Sequence, residues 1–188
     1  MIRSGGVSVM ANWFNFRGFA LLPAVVFVAF TPCFSSAQTT SGMAAISDAA
    51  PKLELAFEEI VTLDKSVTVG DTAYGHRQFV PITGGSVSGP RLKGKVLPGG
   101  WDWQLLLSNG CMSLSADYKL QAEDGTIIYV SNKGLLCGGD GGRTITRPVF
   151  EAPKGAYDWL TTGTFVGVLS GAGDADHPAV RITFYQVK

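Results

Sequence analysis

Eight short segments after residue 50 constrain this chain more than anything else in it. They are KLELAFEEIVTL (52–63), HRQFVPITGGSVSG (76–89), WDWQLLLS (101–108), SLSADYKLQA (113–122), TIIYVSNKGLL (126–136), TITRPVFEA (144–152), TFVGVLSGAG (164–173) and AVRITFYQV (179–187). Each is mostly alternating or β-branched, and each is bounded by Gly, Pro, Asp or Asn, the pattern of strands separated by turns. Eight or nine strands at fairly regular spacing predict a sandwich or a closed barrel rather than a parallel α/β sheet. The one helical suggestion, PKGAYDWL at 153–160, predicts a single turn.

The stretch PITGGSVSGPRLKGKVLPGGWDW (81–103) decides between those architectures. It holds six glycines and three prolines, yet Val, Leu and Trp keep returning between them, so it still packs. Glycine inside a strand pattern marks bulges and close backbone approach, and barrel closure uses such kinks to turn corners. Pro81 and Pro90 lack an N–H and belong at strand ends or bulges. The expectation is an all-β fold, a small antiparallel β-barrel of 8–9 strands, with 81–103 as a bent wall.

The first 37 residues read as a cleavable leader. Met1 to Arg17 carries two arginines and no acid, GFALLPAVVFVAF (18–30) is apolar, and Ser35 and Ala37 occupy the small positions before a cut at Gln38. Thirteen apolar residues fall short of the roughly 20 that span a bilayer. Met10 is an alternative start. The domain expectation is a signal peptide over 1–37, a flexible lead-in over 38–50 and one barrel domain over 51–188, in a periplasmic or secreted protein. After residue 37 the chain has 13 basic and 15 acidic residues, a net charge of −2. Without a basic excess, nucleic acid and anionic membrane are not expected partners.

Cysteine usage agrees with export. Beyond the leader there remain Cys111 and Cys137, flanking two predicted strands around a Glu123-Asp124-Gly125-Thr126 turn. If 123 pairs with 126, Cys111 falls opposite residue 138, and a one-residue bulge beside the turn brings Cys137 into line. The expected state is a disulfide; two buried thiols are the alternative. Metal is not expected: there is no C-x-x-C, no H-x-H and no H-E-x-x-H. GGDGGRT (138–144) lacks the Lys-Ser/Thr of a phosphate loop and reads as a hairpin tip. No cofactor is expected.

A barrel of this size can enclose one small ligand, oriented by a few polar groups in an apolar cavity. In WDWQLLL, Trp101, Trp103 and Leu105 share one face, and Asp102, Gln104 and Leu106 share the other. With Asp102 in the lumen it is the leading acid, base or orienting group, its pKa raised by desolvation. Arg77 is its expected partner, in catalysis or as a plain structural ion pair. Tyr118, on a face with Ala116 and Leu120, either projects its phenol into the cavity or packs with the hydroxyl at the rim. His76, at a strand start, is either a proton shuttle or a solvated edge residue. Gln104, Trp103, Arg147 and Glu151 complete the ligand-binding candidates, the last two alternatively a surface pair.

Several ordered motifs carry a family likeness. GHRQFVPITGGSVSGPRLKGKVLPGGWDWQL, then ADYKLQAEDGTIIYVSNKG, then RPVFEAPKGAYDWLTTGTFVG resemble the DUF3237 family, also called UPF0311, from about Leu53 to Val187. The resemblance implies a compact antiparallel barrel of the calycin or allene-oxide-cyclase-like kind and brings no established activity with it. The leader and the cysteine pair depart from the family pattern. The functional expectation is an exported barrel binding a small, partly apolar organic molecule, with cofactor-free isomerase, cyclase or lyase chemistry as an extension. A lipocalin-like carrier and a filled structural barrel are the alternatives. A cavity of about 300 Å³ or more lined by Asp102, Arg77 and Tyr118 would mark a ligand site.

Overall fold

A computed structural model describes residues 50–138 and 143–188. The leader, nearly all of the lead-in and positions 139–142 of the glycine-rich tip therefore lie outside the described residues. The elements are β1 (Leu53–Leu63), β2 (Val67–Thr72), β3 (Gly75–Ser88), β4 (Gly94–Leu106), β5 (Met112–Ala122), β6 (Ile127–Leu136), β7 (Thr144–Glu151), α1 (Asp158–Thr162), β8 (Phe165–Gly171) and β9 (Ala179–Val187). Every sheet pairing is antiparallel, in the order β1-β9-β8-β7-β6-β5-β4-β3, and β3 pairs back onto β1 to close an eight-stranded barrel. β2 is a ninth strand that pairs with the first part of β3, outside the ring. Nine strands fall within the expected eight or nine, although VTVGDT was not among the named segments, being short and without a buried face to set an apolar rhythm.

Glycine closes the barrel where the pattern pointed to it. The β3–β4 register shifts between Ile82 and Gly85, and the β4–β5 register shifts between Leu97 and Trp101. At the first shift β3 exchanges β2 for β1 as its neighbour, with Val61 opposite Gly85. Gly85 has φ +141°, and a Cβ there would lie 1.9 Å from the Ile60 carbonyl oxygen. No other residue fits that corner. Gly100 serves the site: a Cβ on it would lie 2.5 Å from Cβ of Tyr118, so its absence lets Tyr118 pass beneath the β4 bulge.

A bulge also changes the reading of β1. Simple alternation puts Leu53 and Leu55 on the face of Phe57. The β1–β9 register shifts between Leu55 and Phe57, so Ala56 and Phe57 are both buried while Leu53 and Leu55 are exposed. From Phe57 onward the inward residues are Glu59, Val61 and Leu63, which brings a glutamate inside.

The two ends of the interior differ. Where β3 and β5 end and β4 and β6 begin, Phe57, Phe150, Phe165 and Phe184 meet at ring-centroid distances of 4.9–5.7 Å. The single turn α1 caps this end with buried Leu160 and with Trp159, over whose ring the Arg91 guanidinium lies at 3.7 Å. A cation on an indole face is a favourable lid contact. The opposite end, where β5 begins and β6 stops, is not filled.

The disulfide sits at that second end, and it forms with the one-residue bulge expected beside the turn. Ala122 and Thr126 face each other across a three-residue loop, with Ala122 N–H donating to Thr126 O and Gly125 at φ +89°. The ladder then runs unbroken from Gln121↔Ile127 to Met112↔Leu136, and the next step places Cys111 opposite Cys137. Gly125, left-handed after the turn, is the extra residue of that bulge, and it corrects the register. Their Cα atoms are 4.4 Å apart.

Candidate functional site

At the unfilled end the barrel holds a part-open chamber of about 160 Å³. Its wall is largely apolar, with Val61, Leu63, Ile82, Leu114, Leu169 and Ile182 among the side chains, and Met112 and Leu136 beside the disulfide. Five polar side chains interrupt it: Asp102, Gln104, Tyr118, Asn132 and Thr146. Alternation delivers the first three from β4 and β5 and the last two from β6 and β7. Asp102 and Gln104 turn inward while Trp101 and Trp103 turn outward, and Tyr118 follows Leu114 and Ala116 down the inner face of β5.

The carboxylate of Asp102 is held on both sides. Gln104 Nε2 donates to Oδ2 at 2.8 Å and the Ser115 backbone N–H donates to Oδ1 at 3.2 Å. Gln104 is itself oriented by Gln78 Nε2, which donates to its Oε1 at 2.7 Å. Burial nonetheless raises the Asp102 pKa, with these two donors pulling against it. A carboxylate so placed is a stronger base than one in water.

Deeper in, Tyr118 and Glu59 form the boundary with the aromatic plug. Both are almost wholly buried, and the Tyr118 hydroxyl donates to Glu59 Oε1. Glu59 Oε2 is buried without a partner. Desolvation pushes the Glu59 pKa up to about 8, against the lowering effect of the Tyr118 bond, so the carboxyl is mostly protonated at neutral pH. Burial first, and the nearby Glu59 next, push the Tyr118 phenol upward. Asp102 adds to that push across the chamber. Two carboxyl groups and a phenol thus share an interior whose described lining contains no lysine or arginine.

This geometry is written in a chain that a family model matches almost end to end beyond the lead-in: residues 51–187 fit "Protein of unknown function (DUF3237)". The chain belongs to the DUF3237 family. A UPF0311 protein of Clostridium acetobutylicum is 38% identical over 124 residues, covering 60% of this chain and 74% of the relative. The crystal structure of a conserved protein of unknown function from Rhodopseudomonas palustris aligns with TM-score 0.65 at 31% identity, over 74% of this chain and 99% of that one. A beta-barrel like protein from Acinetobacter baumannii aligns with TM-score 0.65 at 28% identity, over 74% and 97%.

The remaining expected site residues of this DUF3237 barrel lie elsewhere. Arg77 does not meet Asp102. It pairs with Leu105 on β4, whereas Val80 stands opposite Asp102, and the inward residues of β3 are Gln78, Val80 and Ile82. The expected ion pair is therefore replaced by the amide and backbone donors above. Trp103 lies on the outer wall with Trp101, each packed on Phe79 at 5.1 Å. Leu106, expected on the Asp102 face, is exposed at the end of its strand. His76 is outside the chamber, its Nδ1 2.8 Å from Asp71 Oδ1 on β2. Arg147 and Glu151 point outward from β7, and no ion pair joins them. Glu59, Asn132 and Thr146 were not foreseen. Their signal is parity: Glu59 shares a face with Phe57 and Val61, Asn132 with Val130 and Ile128, Thr146 with Phe150. Among the described residues no helix is long and apolar enough to cross a membrane.

Proposed function

We propose that this protein, exported to the periplasm or beyond, binds a small, partly apolar organic molecule in the barrel chamber and acts on it by acid–base chemistry without a cofactor. The observation that carries the reading is the contrast inside one lumen: an apolar wall around about 160 Å³ of space, interrupted by Asp102 and Tyr118. The volume is about half the 300 Å³ at which ligand cavities usually begin. It nevertheless matches the cavity of about 150 Å³, lined by aliphatic and aromatic side chains, that accommodates benzene. The occupant is accordingly ring-sized, or is a larger molecule that inserts one ring.

In this reading Asp102 is the base. Its oriented carboxylate takes a proton from an activated C–H or O–H of the ligand, and Tyr118 faces the oxygen on which negative charge develops. Protonated Glu59 stands behind the phenol as a proton reserve. Proton removal and return within one site change no oxidation state, as an isomerisation or intramolecular cyclisation requires. Gln104 and Ser115 keep the acceptor oxygens aimed, and the apolar wall excludes water from the charged intermediate.

Binding without chemistry is the second reading, favoured by one observation: the Tyr118 hydroxyl is already committed to Glu59. A panel of ring-sized molecules screened by thermal shift, followed by turnover assays with Asp102→Asn, separates the two. Ligand binding retained with turnover lowered by about 10²–10⁴ supports catalysis. Binding with no turnover in either protein supports a carrier. If no molecule on the panel stabilises the fold, the ligand-site reading is wrong.

A further inference from the structure

We propose that the natural occupant is uncharged and carries a hydroxyl group, a small phenol or cyclic alcohol whose O–H is received by Asn132 and Thr146. This rests on the ligand-site reading above and adds a chemical class to it.

The first support is the set of polar atoms left without partners. Asn132 Oδ1 and Thr146 Oγ1 are buried and make no hydrogen bond within the protein. Both residues line the chamber. Native proteins rarely leave buried polar atoms idle, because each has lost its water. The Asn132 side chain also acts on the Tyr118 phenol, pulling its pKa down against the larger upward push of burial. On the β6–β7 ladder Asn132 stands opposite Pro148, and Thr146 stands opposite Gly134. The two residues are therefore diagonal neighbours on one inner face, within reach of a shared third group. A hydroxyl satisfies both at once: it donates to Asn132 Oδ1 and accepts from the Thr146 hydroxyl. A bare hydrocarbon would leave both unmet.

The second support is charge. The described lining contains no cationic side chain, while Asp102 lines the chamber and Glu59 lies just beneath Tyr118. A carboxylate or phosphate ester would be desolvated there with nothing to pair with and with acidic groups facing it. A cation is not called for either, because the Asp102 oxygens already accept from Gln104 and Ser115. The third support is size, since one six-membered ring fills the space.

The test uses four probes built on one benzene ring, titrated at pH 7 into the protein lacking its leader: benzene, phenol, benzoate and benzylammonium. Phenol is expected to bind about tenfold more tightly than benzene, the worth of one well-made hydrogen bond. Benzoate and benzylammonium are expected to bind more weakly than either. In Asn132→Leu/Thr146→Val, which keeps side-chain volume, phenol falls to the affinity of benzene while benzene is unchanged. Equal binding of benzene and phenol to the wild type, or tighter binding of either ion, overturns the proposal and leaves the ligand site standing. Failure of all four probes to bind removes the site itself. Should the double variant not fold, the wild-type ranking decides alone.

Discussion

The two halves of the barrel interior are built from the same eight strands and finished differently. Toward α1, four phenylalanines, Leu120, Ile128 and Leu160 fill the lumen at side-chain contact. Toward the disulfide, the strands carry smaller or polar inward residues, Val61, Asp102, Ala116, Asn132 and Thr146, and about 160 Å³ stays open. Tyr118 and Glu59 mark the change, and both are buried. Each half does what the other cannot. The plug supplies the dispersion and burial that hold a closed sheet together, and that stability lets the other half leave space and polar groups uncompensated.

The comparison breaks most sharply under truncation. Phe150→Ala in the plug is expected to cost about 3–5 kcal/mol in chemical denaturation, because Phe150 touches three other aromatic rings and its removal opens a void. A loss below about 1 kcal/mol would mean that the plug is loosely packed and that the two halves are alike.

A pH series sharpens the boundary between the halves. The pKa of Glu59 rises on folding from 4.5 to about 8, so the folded state holds this proton more tightly than the unfolded chain does. The stability contributed by this group is complete below about pH 4.5 and is lost as pH rises through 8. Between pH 5 and pH 8 the wild type should lose on the order of 3 kcal/mol from this group alone. Glu59→Gln keeps an oxygen for the Tyr118 hydroxyl and carries no charge, so its stability should be flatter over that range. Parallel curves for wild type and variant would show that Glu59 is not a buried acid.

The smallest effect belongs to the open half. Ala116→Val adds two methyl groups facing the chamber and should change stability by less than about 1.5 kcal/mol, since there is space to receive them. A much larger penalty, measured by the same denaturation, would indicate that the chamber is closed by packing.

How far the sequence revealed this depends on whether bulges intervened. WDWQL lies beyond the Leu97–Trp101 shift in an undisturbed run, so parity alone separated Asp102 and Gln104 from the indoles, and only the closed barrel decides which of the two faces is the inner one. Arg77 belongs to HRQFVPI, where both parities carry apolar residues, and its cross-strand partner depends on a register that only the assembled β3–β4 pair fixes. Glu59 was hidden by habit rather than by geometry: alternation from Phe57 puts it on the inner face, but a glutamate is normally assigned to water. The cysteine pairing was legible as a pairing. Its route was legible as well, since Gly125 beside the turn supplies the one-residue bulge that the spacing of the two cysteines required.

Methyl-resolved NMR during a benzene titration reads directly whether the chamber admits a small molecule beside Asp102 and Tyr118. Saturable shifts are expected at Leu114, Leu169 and Ile182 in the chamber wall, with the plug residues Leu120 and Leu160 unmoved. Shifts that cluster instead around the outer Trp101–Trp103 surface, or no saturable shift at any methyl group, would contradict such entry.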